Sequence, residues 1–98
     1  MAIKRGEGRH GRPTYNQAAK VVAKFGGEAH LAAALKRAGY PTSRITIYRW
    51  GYSRPIGADG LIPSSAVERV QRAARLDGIV LTDADWRPER ISYEEAAA

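Results

Sequence analysis

The sequence has no cysteine, which excludes disulfide staples, cysteine-ligated zinc fingers and thiol nucleophiles and is compatible with a reducing compartment. It also lacks any apolar run near the roughly 20 residues needed to cross a bilayer. Its opening, MAIKRGEGRHGRP, has no apolar stretch of the kind a secretory signal carries. A soluble cytoplasmic protein with no membrane partner is expected. Paired carboxylates, a nucleophile beside a base and clusters of metal-ligating side chains are missing too, so the expectation is a non-enzyme with no cofactor and no metal site. His10 and His30 stand 20 positions apart without clustered carboxylates beside them, which is no metal-ligand spacing. The last scarcity is acidic charge in the first part of the chain. Residues 1–56 carry two acids against eleven Lys or Arg, a balance of +9.

What is present is a 98-residue chain of net charge +6, whose remaining residues, 57–98, are mildly acidic at −3. That length suits one domain with a modest core. Basic charge gathered in one half favours a polyanionic partner, because Lys and Arg that neutralise phosphates release condensed counterions. A plain solvated basic surface is the competing reading of the same charge.

Hydrophobic spacing divides the chain into an all-α pattern of four to five helices. Residues 1–12 hold three glycines and almost nothing apolar, and read as a flexible basic arm. Thr14 and Gln17 have the spacing of a capping box that opens a first helix running to Phe25. Its apolar stripe is Ala18, Val21, Val22 and Phe25, with Lys20 and Lys24 on the solvated side. A second helix is expected over Glu28 to Ala38, with Leu31, Ala34 and Leu35 inward, Lys36 and Arg37 solvated, and Gly39 at its end. Pro41 then disfavours helical continuation from Tyr40. Thr42 or Ser43 starts a third helix, in which Ile47 and Trp50 form a narrow apolar stripe while Arg44, Tyr48 and Arg49 face away. Residues 51–61 read as a loop, and its Gly57 to Gly60 pair as a flexible turn rather than a nucleotide-binding motif. A fourth helix from Pro63 or Ser64 buries Val67, Val70 and Ala74, turns Arg69, Arg72 and Arg75 outward, and ends at Gly78. The apolar run Ile79 to Leu81 is extended chain or a short strand, Thr82 to Asp85 caps a further turn, and Arg87 and Pro88 close the folded part. Trp50 and Trp86 read as core anchors. The organisation is thus an arm over 1–12, a domain over 13–88 and a tail over 89–98.

Phe25-Gly26-Gly27, Leu31-Ala32 with Leu35, Ser43 to Ile47 with Trp50, and then Ile62-Pro63, Gly78-Ile79, Leu81-Thr82 and Asp85-Trp86 follow one another in a recognisable order. In these residues the chain resembles the helix-turn-helix domains of the Cro/CI-like (lambda repressor-like) superfamily, and within it the small YdaS-type phage and prophage regulators, over about residues 15–88. It departs from that pattern in two places. Leu35 to Ser43 is longer, which reads as an extra helical turn through Ala38, and the loop over 51–61 is long.

The resemblance implies a sequence-specific DNA-binding transcriptional regulator, a phage-type repressor acting as a homodimer on an inverted-repeat operator in double-stranded DNA, nucleoid-associated in the cytoplasm. A CII-like activator would use the same reading head. An antitoxin-like or adaptor module, with the acidic C-terminal part holding a protein partner, is the alternative from another class. By position, the base-facing residues are Arg44, Ile45, Thr46, Tyr48 and Arg49, since Arg pairs with guanine and an aliphatic side chain packs on a thymine methyl. Thr46 is either a groove contact or a packing residue, and Tyr48 either reads DNA or shields the core. Phosphate or groove contacts fall to Lys4, Arg5, Arg9 and Arg12 of the arm, to His30, Thr42 and Ser43, and to Tyr52 and Arg54. The apolar 79–86 segment is the candidate dimer surface.

Overall fold

The apolar stripe of the first helix sets the layout. In a computed structural model, which describes residues 12–92, helix α1 spans Gln17–Phe25 and buries Ala18, Val21, Val22 and Phe25. Helices α2 (Glu28–Arg37), α3 (Arg44–Arg49), α4 (Ser64–Asp77) and α5 (Asp83–Trp86) follow. There is no strand among the described residues, only an isolated antiparallel bridge between Tyr15 and Arg90. The fold is all-α.

Helix α2 is the hub, packing against α1, α3 and α4, while α5 lies on α1. The most enclosed side chains are Val21, Leu31, Leu35 and Val70, one or two from each long helix. Burying a side chain of this kind contributes about 1.5–3 kcal/mol. Ile47 and Trp50 complete the core from α3, and Ile62, Ala73 and Ala74 from the α4 side. Val67 is only partly buried and packs against the edge of that cluster with Ile79, Leu81 and Trp86.

Several local expectations give way to long-range partners. No capping box forms at Thr14 and Gln17: Asn16 occupies the cap position, and its side chain makes no hydrogen bond to the first turn of the helix. Gln17 instead ties two distant segments, its Oε1 accepting from Ile62 N–H at 2.9 Å and its Nε2 donating to the Trp86 carbonyl at 2.6 Å. Lys24 is exposed and Lys20 partly buried, and both also have partners after α4. Lys20 Nζ donates to the carbonyls of Ala84 (2.7 Å) and Arg87 (2.8 Å) and to Glu89 Oε1 (3.1 Å), and Lys24 pairs with Asp85 at 3.4 Å. Arg37 is exposed, as expected, and also pairs with Asp77 of α4 at 2.6 Å.

These contacts strap the segment after α4 across α1. The Thr82–Asp85 capping box forms as expected, but the fold does not close at Arg87 and Pro88. Asn16 N–H donates to the Glu89 carbonyl at 3.0 Å and Ile91 N–H to the Thr14 carbonyl at 2.9 Å. Ile79, Leu81 and Trp86 pack inward on the chain's own core. Within 79–86 these three side chains are thus partly buried, while Val80, with Leu76 nearby in sequence, is an exposed apolar residue.

The 51–61 loop contains no helix, as expected, and has a cis Arg54–Pro55 peptide bond. It is not a loose turn. Ala58, Asp59 and Gly60 donate to the carbonyls of Arg49 (3.3 Å), Tyr52 (2.8 Å) and Trp50 (2.7 Å), and Gly60 in turn accepts from Ala18 N–H at 2.8 Å. Gly57 and Gly60 are required by contact rather than by flexibility: a Cβ at Gly57 would overlap the Arg49 carbonyl oxygen, and one at Gly60 the Tyr15 carbonyl.

Candidate nucleic-acid interface

Helix α3 begins where Ser43, in an extended conformation, turns its hydroxyl to accept from Thr46 N–H at 3.1 Å. Thr42 does not share that task; its hydroxyl donates to the Tyr40 carbonyl at 2.9 Å. After Arg49 the chain tightens, with Trp50, Gly51 and Tyr52 each donating to the carbonyl three residues back, a 3₁₀-like ending. Six helical residues give a rod about 9 Å long.

The two faces of that rod differ sharply. Ile47 and Trp50 are 2 % and 5 % exposed, whereas Ile45 is 62 % exposed. Arg44, Thr46 and Arg49 are also exposed, and Tyr48 is half-buried beside Ile47 and Glu28. Thr46 is thus on the surface rather than in the packing, its Oγ1 lying 3.0 Å from Ser43 Oγ. Ile45 has no place in the core, so its aliphatic surface stands in water.

Two grooves flank the start of α3. Thr42, Ser43 and Arg44 face Ala32, Ala33 and Lys36 of α2 across one of them. Across the other, Ser43 and Thr46 face Ser65, Ala66 and Arg69 of α4. Lys36 and Arg69 are the residues that the sequence reading left aside as solvated helix surface. Lys36 carried a weak signal, lying in the last turn of α2. Arg69 carried none, because only the docking of α4 brings it near α3, where it sits over the Tyr40 ring at 5.4 Å.

Other candidates scatter. His30 is exposed on the first turn of α2 and lines neither groove. Arg54 is exposed at the loop tip, and Tyr52 is half-buried with its carbonyl engaged by Asp59. Arg12 is exposed at the edge of the described chain, and Lys4, Arg5 and Arg9 lie outside the described residues.

Charge follows the same division. No Asp or Glu occurs between Glu28 and Asp59, where the chain carries Lys36, Arg37, Arg44, Arg49 and Arg54. Of these, Arg37 is neutralised by Asp77, whose hydrogen bond raises its already high pKa. The side chains of Lys36, Arg44, Arg49 and Arg54 have no ionic partner among the described residues. The carboxylates of Asp85 and Glu89 are committed on the other side of α1. Asp85 is held below the usual range chiefly by the Thr82 backbone N–H, and Glu89 by hydrogen bonds from Lys20 and Asn16.

No group of three or more metal-ligating side chains occurs among the described residues, and no helix there is long and apolar enough to cross a membrane. The cavity between α1 and α3, lined by Ala18, Val22, Ile47 and Tyr48, measures about 70 Å³, and the two grooves beside the start of α3 measure about 500 and 350 Å³. Cationic side chains border both grooves, Arg44 and Lys36 the one and Arg69 the other. No family model, curated protein or solved structure matches the chain. Its reading rests on its own residues.

Proposed function

We propose that the chain is a sequence-specific binder of double-stranded DNA and a transcriptional regulator, in which α2 and α3 act as a helix-turn-helix and α3 enters the major groove. The observation that carries this reading is the division of α3: Ile47 and Trp50 fix it to the core, while Arg44, Ile45 and Arg49 project outward. Arginine pairs bidentately with guanine O6 and N7, and an exposed aliphatic side chain packs on a thymine methyl. Ser43, Thr42, Lys36 and Arg69 border the same helix and suit phosphate contacts that set its register. The acid-free run from His30 to Ala58 removes repulsion from the duplex. The action proposed is that of a phage-type repressor, with two copies on an inverted repeat occluding a promoter. Half-sites then lie about one helical turn, roughly 34 Å, apart.

Random-duplex selection with purified protein, repeated with Arg44→Ala/Arg49→Ala, tests the reading. Enrichment of an inverted repeat that the double variant fails to enrich is the expected result. Equal enrichment by both proteins, or none by a folded wild type, refutes it.

A further inference from the structure

We propose that the tip of the α3–α4 loop, formed by Arg54 and Ile56, is a second DNA-reading element that enters the minor groove beside the α3 half-site. This rests on the reading of α3 as a major-groove helix and extends it to a groove that α3 does not reach.

The tip has an unusual composition for an exposed turn. Ile56 is 54 % exposed and contributes nothing to the core. Arg54, two residues away, is exposed and has no partner among the described residues. The acid in the loop, Asp59, is committed elsewhere: its Oδ1 accepts from Thr14 N–H at 2.8 Å. A phosphate contact would need only the cation. An aliphatic side chain beside an arginine suits the minor groove, where Arg reads width and negative potential and an apolar wedge packs between base steps.

The base of the loop makes the position of the tip a property of α3. Gly57 N–H donates to the Ser53 carbonyl at 3.0 Å and closes the turn, and Ala58, Asp59 and Gly60 return to the carbonyls of Arg49, Tyr52 and Trp50. Gly57 lies so close to the Arg49 carbonyl that a methyl group has no room. Four residues separate Arg49 from Arg54, five steps along the chain and a reach of at most about 18 Å. Across one sugar–phosphate ridge from the major groove lies the minor groove. That groove is about 6 Å wide and admits side chains but no helix.

The test uses the selected operator and asks which groove is read at its flank. An A·T pair replaced by inosine·cytosine keeps the minor-groove pattern of A·T but shows the major-groove pattern of G·C. For the full-length protein, changing flanking A·T pairs to G·C is expected to weaken binding about tenfold, the scale of a mismatched pair, while inosine·cytosine leaves affinity unchanged. Arg54→Ala and Ile56→Ala, both at exposed positions, are expected to bind all three duplexes equally while still selecting the α3 half-site. If the flank shows no preference, if inosine·cytosine behaves as G·C, or if both variants keep the preference, the minor-groove assignment is overturned and the α3 reading stands. Failure of the wild type to select any half-site overturns both.

Discussion

Two glycines with nearly the same backbone conformation offer a direct test of the packing between the 51–61 loop and α1. Gly39 has φ +92° and open space where a Cβ would point, whereas Gly60 has φ +87° and the Tyr15 backbone in that space. In Gly39→Ala the cost is left-handed strain, roughly 1–2 kcal/mol, partly offset by about 0.4–1 kcal/mol from a less flexible unfolded chain. A net loss of about 1 kcal/mol follows, or about 4–8 °C in Tm for a domain of this size. Gly60→Ala carries the same terms plus overpacking of about 1–3 kcal/mol. Its relief requires moving Gly60 away from Ala18, to which it is bonded at 2.8 Å, or Asp59 away from Tyr15, bonded at 3.1 Å. The expected loss is about 3 kcal/mol, or roughly 12–24 °C. Thermal unfolding followed by far-ultraviolet circular dichroism measures both variants side by side. Because a positive φ near +90° is common to the pair, the difference between them reports mainly on the contact. Equal decreases in Tm would refute the close approach of Gly60 to Tyr15.

Three further outcomes are expected. Lys20→Met, which keeps the aliphatic stem but removes the donor to three acceptors, should cost about 1–2 kcal/mol in urea unfolding, since the freed carbonyls regain water. It should also speed amide exchange at Ile91, and unchanged exchange there would mean that Lys20 does not hold the strap. Asp85 and Glu89 have lowered pKa values in the fold, so their contribution is fully present above the ordinary carboxylate value of about 4. It is lost as pH falls through their lowered folded values; a Tm series from pH 6 to 2 should drop steeply at the acid end, and less so in Asp85→Asn. Ser43→Ala removes the acceptor for Thr46 N–H and should lower stability by about 1 kcal/mol, measured by denaturant titration; no change would show that the α3 cap contributes nothing.

The helices were legible because periodicity is a local property. Val21, Val22 and Phe25 in α1, and Leu31, Ala34 and Leu35 in α2, are spaced as a buried stripe must be, and they are buried. The same holds for the inner and outer faces of α3, where Ile47 and Trp50 fix the rotation of Arg44, Ile45 and Arg49. Polar residues were read less well, because their partners lie far along the chain. Gln17 has the spacing of a capping residue, yet its amide is used by Ile62 and Trp86. Lys20, Lys24 and Arg37 have the spacing of a solvated face, yet each meets an acid from α4 or beyond it. Arg69 shows the same limit from the functional side, since its place beside Ser43 and Thr46 depends on how α4 docks. Ile56 lies in a stretch whose composition signals a loop around Arg54, and what distinguishes it is an exposure that only the folded chain defines.

The pairing of Tyr15 with Arg90 brings the two ends of the described chain to one place. Tension applied at Arg12 and Ser92 would therefore meet the Thr14–Ile91 and Asn16–Glu89 bonds and the Lys20 clamp first. The same pull would load the bonds of Thr14 and Tyr15 to Asp59. A protein tethered by its ends would therefore pass tension straight to the loop that continues its cationic helix.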